Sequence, residues 1–170
     1  MEKNNISVRF NWSIGVLLIT IVSMMAIAGG AIYIETINWP SVMLWLKYLL
    51  RMVFLFTVIG AVGYMPIRLR ANDEKISLKR LFNPIEVPLN EVIEITQIPK
   101  SYIAGSIRTF GSGGAFGFLG RFKNKRLGKY TMYATDLKKL ILIRTGDKTY
   151  LFSCARPQEF VEYVEKMLVK

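Results

Sequence analysis

Two long apolar stretches fill the first 67 residues of the chain, and a mostly polar, basic portion follows them. No charged side chain occurs from Asn11 to Ile34, a run of 24 residues. A helix of that length is longer than the roughly 30 Å hydrocarbon core of a bilayer, because each residue adds about 1.5 Å. The sequence therefore predicts a first membrane-spanning helix over residues 11–34.

The second apolar stretch, residues 42–67, is interrupted by Lys47 and Arg51. These residues stand four apart on one helix face near one end of the stretch, where long basic side chains can reach the membrane surface. We expect a second span with Lys47 and Arg51 as interfacial anchors; the alternative is a buried pair that faces Glu35 or a ligand. Pro40 suits the start of the second helix, and the short connection predicts a hairpin.

Basic residues lie beside both outer ends of this hairpin, where they favour the cytoplasmic side of the membrane. They are Lys3, Arg9, Arg68, Arg70, Lys75, Lys79 and Arg80. The pattern predicts a multi-pass protein of the cytoplasmic membrane with both termini and the following domain in the cytoplasm. An alternative is a cleaved signal peptide ending near residues 26–28, although the apolar run continues to Ile34, which a cleavage region should not do.

Composition excludes several kinds of catalytic and metal site. The chain has no histidine and one cysteine, Cys154. A Cys/His metal site, an intrachain disulfide and histidine-dependent nucleophilic catalysis are therefore excluded. The acidic residues show no paired spacing typical of acid–base catalysis, and Cys154 is expected to be a buried, small hydrophobic residue. We expect no enzymatic activity, no cofactor and no metal.

Residues 68–170 have the length of one domain with one core, whereas residues 1–67 form the N-terminal segment and the two spans. Alternating apolar and polar residues predict about seven antiparallel strands in a small barrel. The strand signals cover residues 67–71, 76–81, 85–89, 92–98, 106–110, 129–134, 140–145 and 149–154. Apolar residues at helical spacing after Pro157 predict one C-terminal helix that caps the barrel.

Residues 111–120 combine five glycines with bulky apolar side chains. We expect a tight, ordered loop folded onto the barrel wall or the bilayer surface. The loop is not a nucleotide-binding P-loop, because no Gly-Lys-Ser/Thr follows it. Its candidate interfacial residues are Phe116, Phe118, Leu119 and Phe122.

A basic cluster lies in a part of the chain, residues 95–135, that has no acidic residue. Its members are Arg121, Lys123, Lys125, Arg126 and Lys129. Near an anionic leaflet each such charge contributes about 1 kcal/mol of attraction. The cluster predicts a binding site for anionic lipid headgroups or for an acidic membrane-protein partner. Nucleic acid is not expected, because the aromatic residues form no stacking platform.

Four features of the domain resemble the bacterial pleckstrin-homology (PH) family of membrane proteins. They are the segments Arg108–Gly111, Gly113–Phe122 and Gly128–Thr135, and the pair of Pro157 with Phe160. The resemblance implies a PH-like barrel closed by a C-terminal helix, in a chain that also carries membrane spans. It favours a non-catalytic binding or scaffolding module.

Two other functions remain open from the sequence. One is a membrane-embedded enzyme or a transport accessory subunit, with a polar site formed by Glu35, Lys47 and Arg51. The other is association of the helices with a second copy or a larger complex through small residues. Those small residues are Ala26, Gly29, Gly30, Gly60 and Gly63.

Overall fold

Two long helices dominate the first part of the chain in the computed structural model, which describes residues 5–168. They are α1 (Ile14–Thr36) and α2 (Leu44–Tyr64), the latter preceded by a 3-10 turn at Ser41–Met43. Both helices are long and apolar enough to cross a membrane. Most of their side chains are exposed, so neither is the core helix of a soluble domain.

Residues 5–168 also contain ten strands and one further α-helix. The strands are β1 (Asn5–Arg9), β2 (Arg68–Asn72), β3 (Lys75–Lys79), β4 (Ile85–Pro88), β5 (Val92–Ile98), β6 (Ile107–Gly114), β7 (Gly117–Asn124), β8 (Gly128–Ala134), β9 (Leu140–Thr145) and β10 (Thr149–Ser153). They form a four-stranded sheet in the order β1-β2-β3-β4 and a six-stranded sheet in the order β5-β9-β10-β8-β7-β6. The C-terminal helix, α3, spans Pro157–Leu168.

The predicted closed barrel of about seven antiparallel strands is wrong. Residues 5–168 form two separate sheets, and β10 pairs parallel to β8, with Leu151 opposite Met132. Strands β9 and β10 form an antiparallel hairpin. Within this hairpin it is β10 that pairs with β8, and these two strands run in the same direction. A short 3-10 turn, Leu89–Glu91, connects β4 to β5, and these two strands are not paired, so the two sheets remain separate.

The main core lies between the two sheets and α3. The four-stranded sheet contributes Leu69 and Ile76, the six-stranded sheet contributes Phe152, and α3 contributes Phe160, all of them fully buried. Helix α3 was predicted from its apolar stripe and is confirmed, but it packs onto this core and does not cap a barrel. A second apolar cluster covers the other face of the six-stranded sheet.

Strand β1 joins the start of the hairpin to its end. It precedes α1, yet it pairs antiparallel with β2, which follows α2, so that Ser7 lies opposite Arg70. Val8 of β1 is 1% exposed and belongs to the main core. The sequence interpretation placed this N-terminal segment outside the domain of residues 68–170, and in the structure it pairs with a strand of that domain.

The end of α2 is also fixed to the domain. The Phe82 ring, in the β3–β4 turn, lies so close to Gly63 that a Cβ there would be 2.0 Å from a ring carbon. The Phe82 N–H donates to the Gly63 carbonyl at 2.9 Å. The buried guanidinium of Arg80 lies 5.5 Å from the Tyr64 ring centroid and 4.5 Å from that of Tyr133. These contacts link α2 to both sheets.

We predict that Phe160→Ala lowers the free energy of unfolding by about 3–5 kcal/mol, because it leaves a cavity in the main core. The matched control is Glu162→Ala on the exposed side of α3, which should change stability by less than about 0.5 kcal/mol. Denaturant unfolding in detergent micelles measures both. Equal effects of the two substitutions would show that α3 does not pack as described.

Candidate functional site

The glycine-rich segment is a β-hairpin, so the predicted loop is wrong. Gly111 of β6 and Gly120 of β7 lie directly opposite each other, with φ values of 105° and 125°. A Cβ at Gly111 would be 2.0 Å from the Leu119 carbonyl oxygen, and one at Gly120 would be 2.3 Å from the Phe110 carbonyl oxygen. Only glycine fits such a close approach of two backbones, and these glycines therefore permit strand pairing.

The four apolar residues predicted for an interfacial loop do not form one outward surface. Leu119 and Phe122 are only 7% and 5% exposed. They point to opposite faces of β7, because their positions differ by an odd number. Phe116 occupies the hairpin turn, and its N–H donates to the Thr20 hydroxyl of α1 at 2.8 Å. Phe118 is half-buried beside the second apolar cluster.

Three of the five predicted basic residues share one face of the six-stranded sheet. Lys123 of β7 lies directly opposite Lys129 of β8, and Arg121 is two positions from Lys123 on the same face. All three are exposed, and together they form what we call the basic face. Lys125 and Arg126 lie in the β7–β8 turn, where the Arg126 guanidinium is 3.5 Å from the Tyr102 ring centroid.

The basic face has no acidic residue close to it in sequence. Two like charges directly opposite on neighbouring strands are destabilising, which applies to Lys123 and Lys129. The nearest acidic residues along the chain are Glu94 and Asp136. Among the described residues, Glu94 of β5 forms its ion pair with Arg144 of β9, near the opposite edge of the same sheet. A phosphate or carboxylate group would relieve the repulsion, so the face is suited to an anion.

A second polar cluster lies at the other end of the hairpin. The Lys47 Nζ atom is 3.0 Å from Oε2 of Glu35, and the Arg51 guanidinium donates to both oxygens of that carboxylate. Arg51 also lies 5.4 Å from the Tyr48 ring centroid. The structure thus joins the two basic residues to Glu35, but the Glu35 and Arg51 side chains are each 45% exposed, so this is not the buried pair of the sequence alternative.

Groups suited to catalysis are sparse in the described part of the chain. Residues 5–168 bring no three His, Cys, Asp or Glu side chains together in a way that could hold a metal ion. The Cys154 side chain is completely buried, and burial raises the pKa of its thiol to about 11. The thiol is therefore protonated at neutral pH, which is unlike a catalytic nucleophile.

Two contact residues were missed by the sequence analysis. Thr20 lies in the apolar run of α1, and its hydroxyl donates to the Val16 carbonyl while it accepts from Phe116. Arg80 was counted only as a positive charge beside the membrane, but it is buried, and its Nη2 atom donates to the Asn83 carbonyl. A hydroxyl within an apolar helix was the available signal for Thr20, whereas nothing in the sequence marked Arg80 as buried.

These elements define a β-rich domain that ends in a packed helix. A model of the bacterial PH domain family matches residues 67–168, and the chain belongs to that family. The resemblance noted in the sequence is therefore confirmed. PH domains are generally non-catalytic binding modules. Searches among curated proteins and solved structures gave no significant match.

We predict that Cys154 resists thiol reagents in the folded protein. Its neutral thiol form persists as long as the pH stays below the raised pKa, and burial also blocks access. Ellman's reagent at pH 8 should give no reaction in native protein and one thiol per chain in denaturant. Full reaction of the native protein would contradict the buried position.

Proposed function

We propose that the chain is a membrane-anchored, non-catalytic binding or scaffolding module of the cytoplasmic membrane. The pairing of β1 with β2 is the observation that carries this proposal. It brings together the segments that flank the outer ends of α1 and α2, so both ends lie on one side of the bilayer together with the PH domain. The excess of basic residues at these ends favours the cytoplasmic side.

The exposed surface of the two helices supports insertion into a bilayer. Outside the stretch that meets the domain, large apolar side chains such as Val22, Met25 and Phe56 are 60%, 61% and 66% exposed. Water would make such a surface unfavourable, whereas lipid covers it at no cost. The contacts also disfavour a cleaved signal peptide, because cleavage near residues 26–28 would remove β1 and take Val8 out of the main core.

The basic face and the neighbouring turn support an anionic partner. Five exposed charges, Arg121, Lys123, Lys125, Arg126 and Lys129, lie without a nearby acidic side chain in sequence. They suit either anionic lipid headgroups or an acidic surface on a membrane-protein partner. The attraction acts over roughly 8 Å at physiological salt, so it orients a domain that the helices already hold at the membrane.

The polar cluster at the far end of the hairpin favours a second candidate function, that of an embedded enzyme or a transport accessory subunit. Glu35, Lys47 and Arg51 do converge. We place this function second because the single carboxylate is already bound by two cations. The cluster is explained by interhelical ion pairing, and it leaves no free acid or base.

The topology can be tested with cysteines in two exposed turns. Asn38→Cys lies in the connection between α1 and α2, and Asp147→Cys lies between β9 and β10. A membrane-impermeant maleimide added to intact cells should label position 38 and spare position 147, which should react only after lysis. Buried Cys154 gives no background. Labelling of position 147 in intact cells would contradict a cytoplasmic domain.

The anionic partner can be tested by hydrogen exchange of the full chain in nanodiscs. Backbone amides of residues 121–129 should exchange more slowly in phosphatidylglycerol than in phosphatidylcholine discs. The difference should vanish at 1 M salt, where screening acts within about 3 Å.

Replacing all five basic residues with Gln should also abolish the lipid dependence of exchange, whereas Lys75→Gln and Lys79→Gln together, outside the basic face, should leave it intact. If exchange is independent of lipid charge, and cross-linking in native membranes captures a protein only when the five charges are present, the ligand is an acidic partner. If neither readout depends on the charges, the electrostatic proposal is wrong.

A further inference from the structure

We infer that β6, the edge strand of the six-stranded sheet, lies in the headgroup region of the bilayer with Ile107 and Phe110 inserted among the lipids. This inference rests on the proposed membrane anchoring and adds the bilayer contact itself. Ile107 and Phe110 are not among the interfacial residues predicted from the sequence. The partner is the same membrane that the hairpin spans.

The direction of α1 places β6 nearest to the bilayer. The Ser13 N–H, at the start of α1, donates to the Thr135 carbonyl at 3.0 Å, just after β8. Seven residues further along the helix, Thr20 accepts a hydrogen bond from Phe116 in the β6–β7 turn. Ile19 packs at Gly114, the last residue of β6. Helix α1 therefore crosses the ends of β8, β7 and β6 in that order.

The distances agree with this crossing. Seven helical residues advance about 10 Å, and two steps between neighbouring strands also cover about 10 Å. A path into the bilayer along α1 thus leads across the sheet towards β6. The headgroup layer on each side of a bilayer is roughly 5–8 Å thick. If β8 lies at the membrane surface, the distance of about 10 Å from β8 to β6 places β6 within that layer. Its unpaired backbone edge still needs water or headgroup atoms, which keeps it out of the hydrocarbon core.

A bulge in β6 turns two apolar side chains to the same face. Ile107 pairs with Lys123 and Phe110 pairs with Arg121, although Ile107 and Phe110 are three residues apart. In a regular strand that spacing would put them on opposite faces. The register shift between Arg108 and Phe110 inserts one extra residue into β6, so that both side chains point to the same face. Ile107 and Phe110 therefore lie beside the basic face, and they are 71% and 74% exposed.

This combination suits a membrane surface better than water. An edge strand with exposed isoleucine and phenylalanine side chains is prone to aggregate unless something covers it. Apolar side chains flanked by arginine and lysine are typical of surfaces that rest in the headgroup region. The opposite edge, β5, has an equally exposed Ile93 at 74%, but its neighbour Glu94 is acidic and pairs with Arg144.

The β3–β4 turn, at the end of α2, also carries exposed apolar side chains. The β3–β4 turn packs on α2 at Gly63 and carries Leu81 and Phe82, which are 65% and 40% exposed. The four-stranded sheet thus presents apolar side chains at the end of α2, and the six-stranded sheet presents Ile107 and Phe110 on β6, the strand that α1 meets at Gly114. A bilayer that holds both helices would meet both surfaces at the same time.

The test compares the two edges of the same sheet in the full chain. Phe110→Cys and Ile93→Cys are labelled separately with an environment-sensitive fluorophore and reconstituted into phosphatidylglycerol nanodiscs. The fluorophore at position 110 should emit at shorter wavelength. Nitroxide-labelled lipids should quench it at least about twofold more strongly than the fluorophore at position 93, because an interfacial side chain lies roughly 5–10 Å within the lipid boundary.

Equal quenching at the two positions, or stronger quenching at position 93, would overturn the inference. Thermal unfolding checks that both variants fold, and Ile107→Cys provides a second reporter on β6 if the Phe110 variant does not. Maleimide labelling of positions 38 and 147 separates this inference from the anchoring. Correct topology without quenching at positions 107 and 110 rejects the β6 contact alone, whereas incorrect topology rejects the proposed function.

Discussion

The pairing of β1 with β2 is the constraint on which the rest of the structure depends. These strands are adjacent in the four-stranded sheet although two long apolar helices separate them in sequence. Their hydrogen bonds close a loop that contains the whole hairpin. A β-ladder needs strands about 4.8 Å apart, so the outer ends of α1 and α2 must emerge close together. The hairpin and the domain are consequently joined at both outer helix ends.

Further contacts fix how the domain stands relative to the helices. Thr20 binds the β6–β7 turn, Phe82 packs on Gly63, and Arg80 lies between the rings of Tyr64 and Tyr133. Within residues 5–168 the buried Arg80 guanidinium has no carboxylate partner, and a buried charge without one is costly. The two rings supply a cation–π environment that offsets part of this cost. With both helix ends held, the basic face has a defined orientation relative to α1 and α2. In the function that we propose, the helices already hold the domain at the membrane, so its charges would strengthen a contact there and would not recruit the domain.

Sequence patterns predicted both long helices, α3, the start of β6, and the strands β2, β3, β4, β5, β8, β9 and β10, because apolar residues recur in them at helix or strand spacing. Strand β1 was missed because five residues with one buried side chain give too short a pattern. Strand β7 was missed because Gly117 and Gly120 resemble loop residues until the close backbone approach across the hairpin is seen. The basic cluster was located by composition, but which charges share a face depends on strand register. The placement of Ile107 and Phe110 together depends on a bulge, which no spacing rule reveals.

The pairing of β1 with β2 can be tested directly by forming a disulfide between them in the full chain within a bilayer. Ser7→Cys and Arg70→Cys replace residues that lie directly opposite each other, at a separation that suits a disulfide. Ser7→Cys with Glu86→Cys is the control, because Glu86 lies in the same row three strands away, about 14 Å distant. The account predicts rapid intramolecular oxidation of the 7–70 pair and none of the 7–86 pair. Free thiols at positions 7 and 70 under oxidising conditions would contradict it.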